Sequence, residues 1–154
     1  MTTQALLSEV PLFAGLTRAQ LDRIAAVGKV RRYPARSHVF HEGDPGEEMF
    51  IVLNGAVRVS KSLSGLGEEA LAILEPGQSF GEMSIIDDSP RSADAIVHRE
   101  CELLVLSRQS LDELMFTDKD LAYVLLWAFV HTLSGRLRET NEKLKTFFAS
   151  SRFE

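Results

Sequence analysis

The chain has 154 residues, with 17 Lys and Arg against 22 Asp and Glu and 45% hydrophobic residues, a composition typical of one folded domain. A net charge of −5 argues against broad, non-specific nucleic-acid binding, which needs an excess of Lys and Arg. The single cysteine, Cys101, excludes an internal disulfide and any multi-cysteine metal site. No signal peptide and no apolar run long enough to span a bilayer is found, so we expect a cytoplasmic chain without membrane contact.

Proline and glycine residues divide the chain into three parts of one predicted domain, 1–154. Residues 1–28 predict a helical N-terminal part, because Thr17 suits an N-cap and Gly28 suits the end of a helix. Residues 29–106 alternate short apolar segments with turn residues, which predicts the strands of a barrel, roll or sandwich. Within them, Asn54-Gly55 predicts a hairpin turn, because a type I′ turn needs a positive φ at two residues.

Residues 107–154 predict two helices, a short one capped by Ser107 and a long one that begins at Thr117 or Asp118. The long helix carries a seam with alternating spacings of four and three residues, formed by Leu126, Val130, Leu133, Leu137, Thr140, Leu144 and Phe147. This spacing is typical of a coiled coil, so the predicted partner is a second copy of the chain in a homodimer. Basic residues of this helix, including Arg136, alternate with acidic ones and predict a solvated face.

Residues 80–100 carry the most specific chemistry of the sequence. Gly81 permits a ligand to approach the backbone, and the Glu82 carboxylate can accept hydrogen bonds from ligand hydroxyls, such as those of a ribose. Arg91 and Ser92 follow a loop and precede an apolar strand. A guanidinium beside a hydroxyl and free backbone amides suits a phosphate ester, so these residues predict a phosphate pocket.

At these residues the sequence resembles the cyclic-nucleotide-binding domain family, most of all the sensor domain of the bacterial cyclic-AMP receptor (catabolite activator) and fumarate–nitrate regulator family. The family's phosphate-binding cassette stands here as residues 80–85 followed by Pro90-Arg91-Ser92-Ala93. The resemblance implies an α+β, mainly β fold: an antiparallel, double-stranded, jelly-roll-like β-roll with an N-terminal helix and a long C-terminal helix. It also implies that phosphate and ribose are held by Gly81, Glu82, Met83, Ser84, Arg91, Ser92 and Ala93.

The same resemblance implies a regulatory module that senses cyclic AMP and signals to a further protein by movement of the C-terminal helix. Thr140 is expected to contact the purine of its own subunit and Asn141 that of the other, although the receptor has Ser at the position of Asn141. Cyclic GMP is also compatible, because hydroxyl side chains both donate and accept hydrogen bonds. Only seven residues run from Phe148 to the end, too few for a helix-turn-helix, so direct DNA binding is not expected.

Two alternatives to the sensor remain open. A β-roll that has lost its ligand would act as a structural or dimerisation module, and an occluded pocket would favour it. A metal-dependent, cupin-like enzyme would need clustered His and Glu ligands. His38 and His41 are three apart in a predicted strand and are not expected to converge, and no nucleophile–base pair is found, so we predict neither a metal nor catalysis.

Overall fold

A computed structural model describes residues 2–63, 65 and 67–151, so residues 1, 64, 66 and 152–154 of the predicted domain lie outside the described part. Before the sheet lie helix α1 (Thr3–Glu9), a short 3-10 helix (Pro11–Phe13) and helix α2 (Arg18–Val27). The strands are β1 (Lys29–Tyr33), β2 (His38–Phe40), β3 (Glu48–Leu63), β4 (Gly67–Leu74), β5 (Ser79–Phe80) and β6 (Asp94–Ser107). Helix α3 (Glu82–Asp87) lies between β5 and β6, and α4 (Arg108–Thr117) and α5 (Lys119–Ser151) end the described chain.

The six strands form a single sheet in which every pairing is antiparallel. The order is β1-β6-β3-β4, with β2 added to β6 and β5 added to β3, so the two long strands β3 and β6 are the centre of the roll. The predicted antiparallel β-roll between an N-terminal helical part and a long C-terminal helix is therefore confirmed.

Helices α2, α4 and α5 begin at the polar residues that the sequence marks as caps. Thr17 and Gln20 form a reciprocal capping box at the start of α2, with nitrogen–oxygen distances of 2.9 and 3.2 Å. The Ser107 hydroxyl accepts the Ser110 amide at 3.1 Å, and the Asp118 carboxylate caps the first turn of α5. These caps satisfy backbone donors that have no partner within the helix, which is why local sequence sets the helix starts.

The hairpin predicted at Asn54-Gly55 is wrong, because β3 runs through both residues without a turn. Instead, the register between β3 and β6 shifts around these residues. Gly55 has a φ of +83°, and a Cβ atom there would lie 2.1 Å from the Glu100 carbonyl oxygen of β6. The glycine therefore serves a bulge in a long strand, which needs the same positive φ as a hairpin turn.

Two hydrophobic clusters hold the roll and its helices together. The first joins β3 and β6 to the N-terminal helices, α4 and the first half of α5, through residues that include Leu121, Leu125 and Phe129. The second fills the interior of the roll and includes Cys101, which is 2% exposed. In the described ranges, no helix combines the length and the apolar content needed to cross a bilayer.

Candidate functional site

One cavity of about 410 Å³ lies between the roll, α3 and α5. Its volume is within the usual range for small-molecule sites. It is lined by all the residues predicted to hold phosphate and ribose, namely Gly81, Glu82, Met83, Ser84, Arg91, Ser92 and Ala93. The rest of its wall is largely apolar and comprises Phe40, Val59, Leu71, Ala72, Leu74 and Phe80, with Ser79 and Arg136.

Arg91 is the buried cation of the cavity, only 5% exposed. Its Nη1 donates to the Gly81 carbonyl at 2.9 Å and its Nη2 to the Glu48 carbonyl at 2.6 Å, while the guanidinium lies 4.1 Å from the Phe40 ring centre. Burial lowers the pKa of Arg91, but an arginine remains protonated in proteins. Its Nε is buried and has no hydrogen-bond partner among the described residues, so donor capacity remains for a ligand.

The loop 41–48, which joins β2 to β3 and includes the first residue of β3, fixes the backbone of Arg91. The Arg91 amide donates to the Asp44 carbonyl at 2.8 Å, and the Gly43 amide donates to the Arg91 carbonyl at 2.9 Å. The loop also packs directly on α3, because a Cβ atom added to Gly46 would lie 2.1 Å from the Ser84 Cβ. Only glycine allows this approach of the loop to α3 without a shift of one of them.

Glu82 is the buried anion of the cavity, 2% exposed, and it meets a side chain from α5. Its Oε1 lies 2.5 Å from Arg136 Nη2. The two groups form an ion pair, and Oε1 accepts no further hydrogen bond in the described part of the chain. Arg136 is exposed, as expected of a solvated face, but its contact with Glu82 was not predicted. Its spacing of four residues from Thr140 puts both on one helix face and was the available signal.

Three charged side chains line the cavity. Arg91 and Arg136 are cationic and Glu82 is anionic. In a partly closed, largely apolar site such charges are screened less than in water. Asp44, Glu47 and Glu48 also act on Arg91 from outside the cavity lining, so the feature suited to an anionic ligand is the buried guanidinium itself.

Thr140 and Asn141, the predicted base contacts, are not brought into this cavity. Both are exposed on α5, and the Thr140 hydroxyl donates to the Arg136 carbonyl of its own helix at 2.9 Å. Neither is among the residues that line the cavity. Their contact with a base stays a prediction.

The expectation that His38 and His41 do not converge is wrong. Their rings stack in parallel, with centroids 4.0 Å apart and an angle of 7° between the planes. Strand alternation fails here because the pairing of β2 with β6 is irregular between His38 and Phe40, and His41 follows the strand. Within residues 2–63, 65 and 67–151, no group of three or more His, Cys, Asp or Glu side chains is arranged to hold a metal ion.

This geometry agrees with comparisons against known proteins. The sequence profile described as "Cyclic nucleotide-binding domain" matches residues 30–118, more than half of the chain. The protein therefore belongs to the cyclic nucleotide-binding domain family.

Particular relatives are receptors and regulatory domains. The chain is 39% identical over 99 residues to the cyclic AMP receptor protein of Thermus thermophilus, an alignment that covers 64% of this chain and 46% of that protein. It superposes on the Thermus thermophilus catabolite activator protein with a TM-score of 0.81 and 34% identity, over 89% of this chain and 62% of the other. The cAMP co-crystal structure of the Toxoplasma gondii PKA regulatory domain superposes with a TM-score of 0.68 and 27% identity, over 73% and 42% of the two chains. The chain thus spans about half the length of these three relatives.

Proposed function

We propose that this chain is a non-catalytic regulatory module that binds cyclic AMP in the 410 Å³ cavity. The observation that carries the proposal is the buried Arg91, which lines the cavity beside Glu82 and Ser92. A cyclic phosphate diester carries one negative charge, and a guanidinium pairs with phosphate oxygens through two parallel N–H donors. The names of the Thermus and Toxoplasma relatives support cyclic AMP as the nucleotide.

Ribose and base have complementary partners around the phosphate. The Glu82 Oε1, which accepts no hydrogen bond among the described residues, would accept the ribose 2′-hydroxyl, with the Gly81 amide beside it. The purine would lie against the apolar wall that includes Val59 and Leu71. Thr140 and Asn141 would then reach the purine edge, one from the same subunit and one from its partner.

The signal would pass through α5 in a homodimer. Leu126 and Leu137 of the seam are 53% and 62% exposed in the single chain, and a second copy of α5 is the partner that this seam fits. A ribose that binds Glu82 would compete with Arg136, so the nucleotide would change the energy of holding α5 against the roll. The nucleotide can shift the equilibrium between two positions of α5 only by the difference in its affinity for them.

Calorimetric titration with cyclic AMP and cyclic GMP tests the proposal. We expect saturable binding of cyclic AMP, and a loss of about 100-fold or more in Arg91→Ala, because two charge-assisted hydrogen bonds disappear. Arg99→Ala is the matched control: Arg99 is an exposed arginine of β6 whose guanidinium lies 3.6 Å from Glu75, and its loss should leave the affinity unchanged. A folded protein that binds neither nucleotide would instead be a ligand-free dimerisation module.

The predicted base contact is tested with two threonines of α5, Thr140 and Thr146. Thr140→Val should weaken cyclic AMP binding by about tenfold if the hydroxyl bonds the base, the value of one hydrogen bond. Thr146→Val removes a hydroxyl from an exposed position further along α5 and serves as the control. Equal affinities in the two variants would remove Thr140 from the base site.

A further inference from the structure

Arg108, the first residue of α4, contacts helix α3 and the loop 41–48 next to the cavity. Its Nη2 donates to the Ser84 carbonyl at 2.6 Å, and its Nη1 pairs with the Asp88 carboxylate. Its Nε lies 3.8 Å from the Glu47 carboxylate, and its backbone amide donates to the Glu47 carbonyl at 2.8 Å. The side chain is 22% exposed and is not among the residues that line the cavity.

The partners of Arg108 are the two segments that position Arg91. One is α3, whose preceding residue Gly81 supplies a carbonyl to the Arg91 guanidinium, and the other is the loop 41–48, whose residue Glu48 supplies the second. Arg108 therefore joins α3 and the loop without lining the cavity. A movement of either segment would change the position of the guanidinium that faces a ligand.

Helix α3 needs an anchor of this kind, because a helix of six residues is not stable by itself in water. Its last turn ends at Asp88, whose φ of +59° is uncommon for a residue with a side chain. The Asp88 amide donates to the same Ser84 carbonyl that accepts from Arg108, at 3.1 Å. A cation at the carbonyl end of a helix and a paired carboxylate both stabilise this ending.

We propose that Arg108 is a positioning residue for the nucleotide site: it fixes α3 against the loop 41–48, and so presets Arg91 and Glu82 for the ligand. Because Arg108 begins α4 and α5 follows α4, it also connects the site to the long helix. The inference rests on the proposed nucleotide binding. It assigns no contact between Arg108 and the nucleotide.

A double-mutant cycle on cyclic AMP affinity tests this role. We expect Arg108→Gln to weaken binding about tenfold, because it loses the charged contacts with Ser84, Asp88 and Glu47, and Asp88→Asn about threefold, because it weakens only one of them. The double variant should bind no more weakly than Arg108→Gln alone, because the two changes remove the same contact. Arg108→Lys should recover part of the affinity, and Arg32→Gln, which alters a 78% exposed arginine of β1, should have no effect.

The outcomes separate this inference from the proposed function. If the unaltered chain binds no nucleotide, the proposed function fails and the positioning role falls with it. If the unaltered chain binds and Arg108→Gln binds equally well, only the inference on Arg108 fails. Losses of affinity that add up in the double variant, or a loss that Arg108→Lys does not reduce, would also overturn it. A purely structural defect predicts both results. In the ligand-free protein, amide hydrogen exchange at Asp88 should accelerate in Arg108→Gln and remain slow in Arg32→Gln.

Discussion

The residues around the cavity and the exposed half of α5, residues 134–151, are stabilised in opposite ways. Around the cavity, Glu82, Ser84 and Arg91 are polar and yet at most 5% exposed, and each touches another part of the same chain. In α5, the last buried residue is Phe129, and every residue from 134 to 151 is exposed, including leucines and phenylalanines. The first region is completed within one chain, whereas the second presents apolar side chains to solvent.

The difference indicates where a ligand and a partner can change the molecule. A site whose polar groups are already held by backbone carbonyls loses little entropy when a ligand binds, which favours affinity. A helix end with few intramolecular contacts has a low cost of local opening, so small changes in energy alter its position or its partner. Arg136 lies in the exposed half of α5 and also contacts Glu82, and it therefore joins the two regions.

The largest expected effect tests the exposed half of α5. Leu137→Lys should weaken the proposed homodimer by about 100-fold or more, because each subunit loses one buried leucine, worth about 1.5–3 kcal/mol apiece. Glu139→Lys introduces the same side chain on another face of the helix and should leave the dimer intact. Sedimentation velocity over a concentration series measures both. Equal dimerisation of the two variants would show that the seam is not the interface.

The same substitution, glycine to alanine, is expected to lower stability near the cavity and to raise it in α5. Gly46→Ala should lower the free energy of unfolding by about 1–3 kcal/mol, because its Cβ would meet the Ser84 Cβ at 2.1 Å and the surroundings must shift. Gly135→Ala in α5 meets no atom within 4 Å and should raise helix stability by up to about 1 kcal/mol. Urea unfolding measures both variants. A neutral Gly46→Ala would show that the loop and α3 are not tightly packed.

The features that the sequence predicts well are set by residues close to one another along the chain. The caps at Thr17 and Ser107 act within three residues of the helix that they begin, so their chemistry can be recognised locally. The segments around Gly81 and Arg91 are likewise compact motifs, and the structure brings them into one cavity. Local chemistry thus predicts the elements and much of the lining of the site.

What the sequence does not predict depends on long-range contacts. Asn54-Gly55 has the conformational preference of both a hairpin turn and a bulge, and only the pairing with β6 decides between them. The stacking of His38 on His41 follows from an irregular pairing that alternation does not foresee. Arg136 carries no local motif, and its role depends on where a long helix passes the roll.

The smallest expected effect is a pH dependence of stability that arises from Cys101 in the interior of the roll. Burial raises the pKa of the Cys101 thiol from its ordinary value near 9 to about 11. Below pH 9 the thiol is protonated in both the folded and the unfolded chain, so it adds no pH dependence. Between pH 9 and 11 mainly the unfolded chain loses the proton, so stability falls as the pH rises, by about 1 kcal/mol at pH 10.

Urea unfolding of the native chain and of Cys101→Ala at pH 7 and pH 10 isolates this contribution. The alanine variant is expected to be less stable at pH 7, because it removes a buried side chain, but its loss of stability between the two pH values should be about 1 kcal/mol smaller. Other groups titrate equally in both proteins and cancel in the comparison. Parallel pH dependence in the two proteins would mean that the thiol ionises as easily in the folded roll as in the unfolded chain. The interior around Cys101 would then be as open to water as the exposed half of α5, and the contrast between the two regions would not hold there.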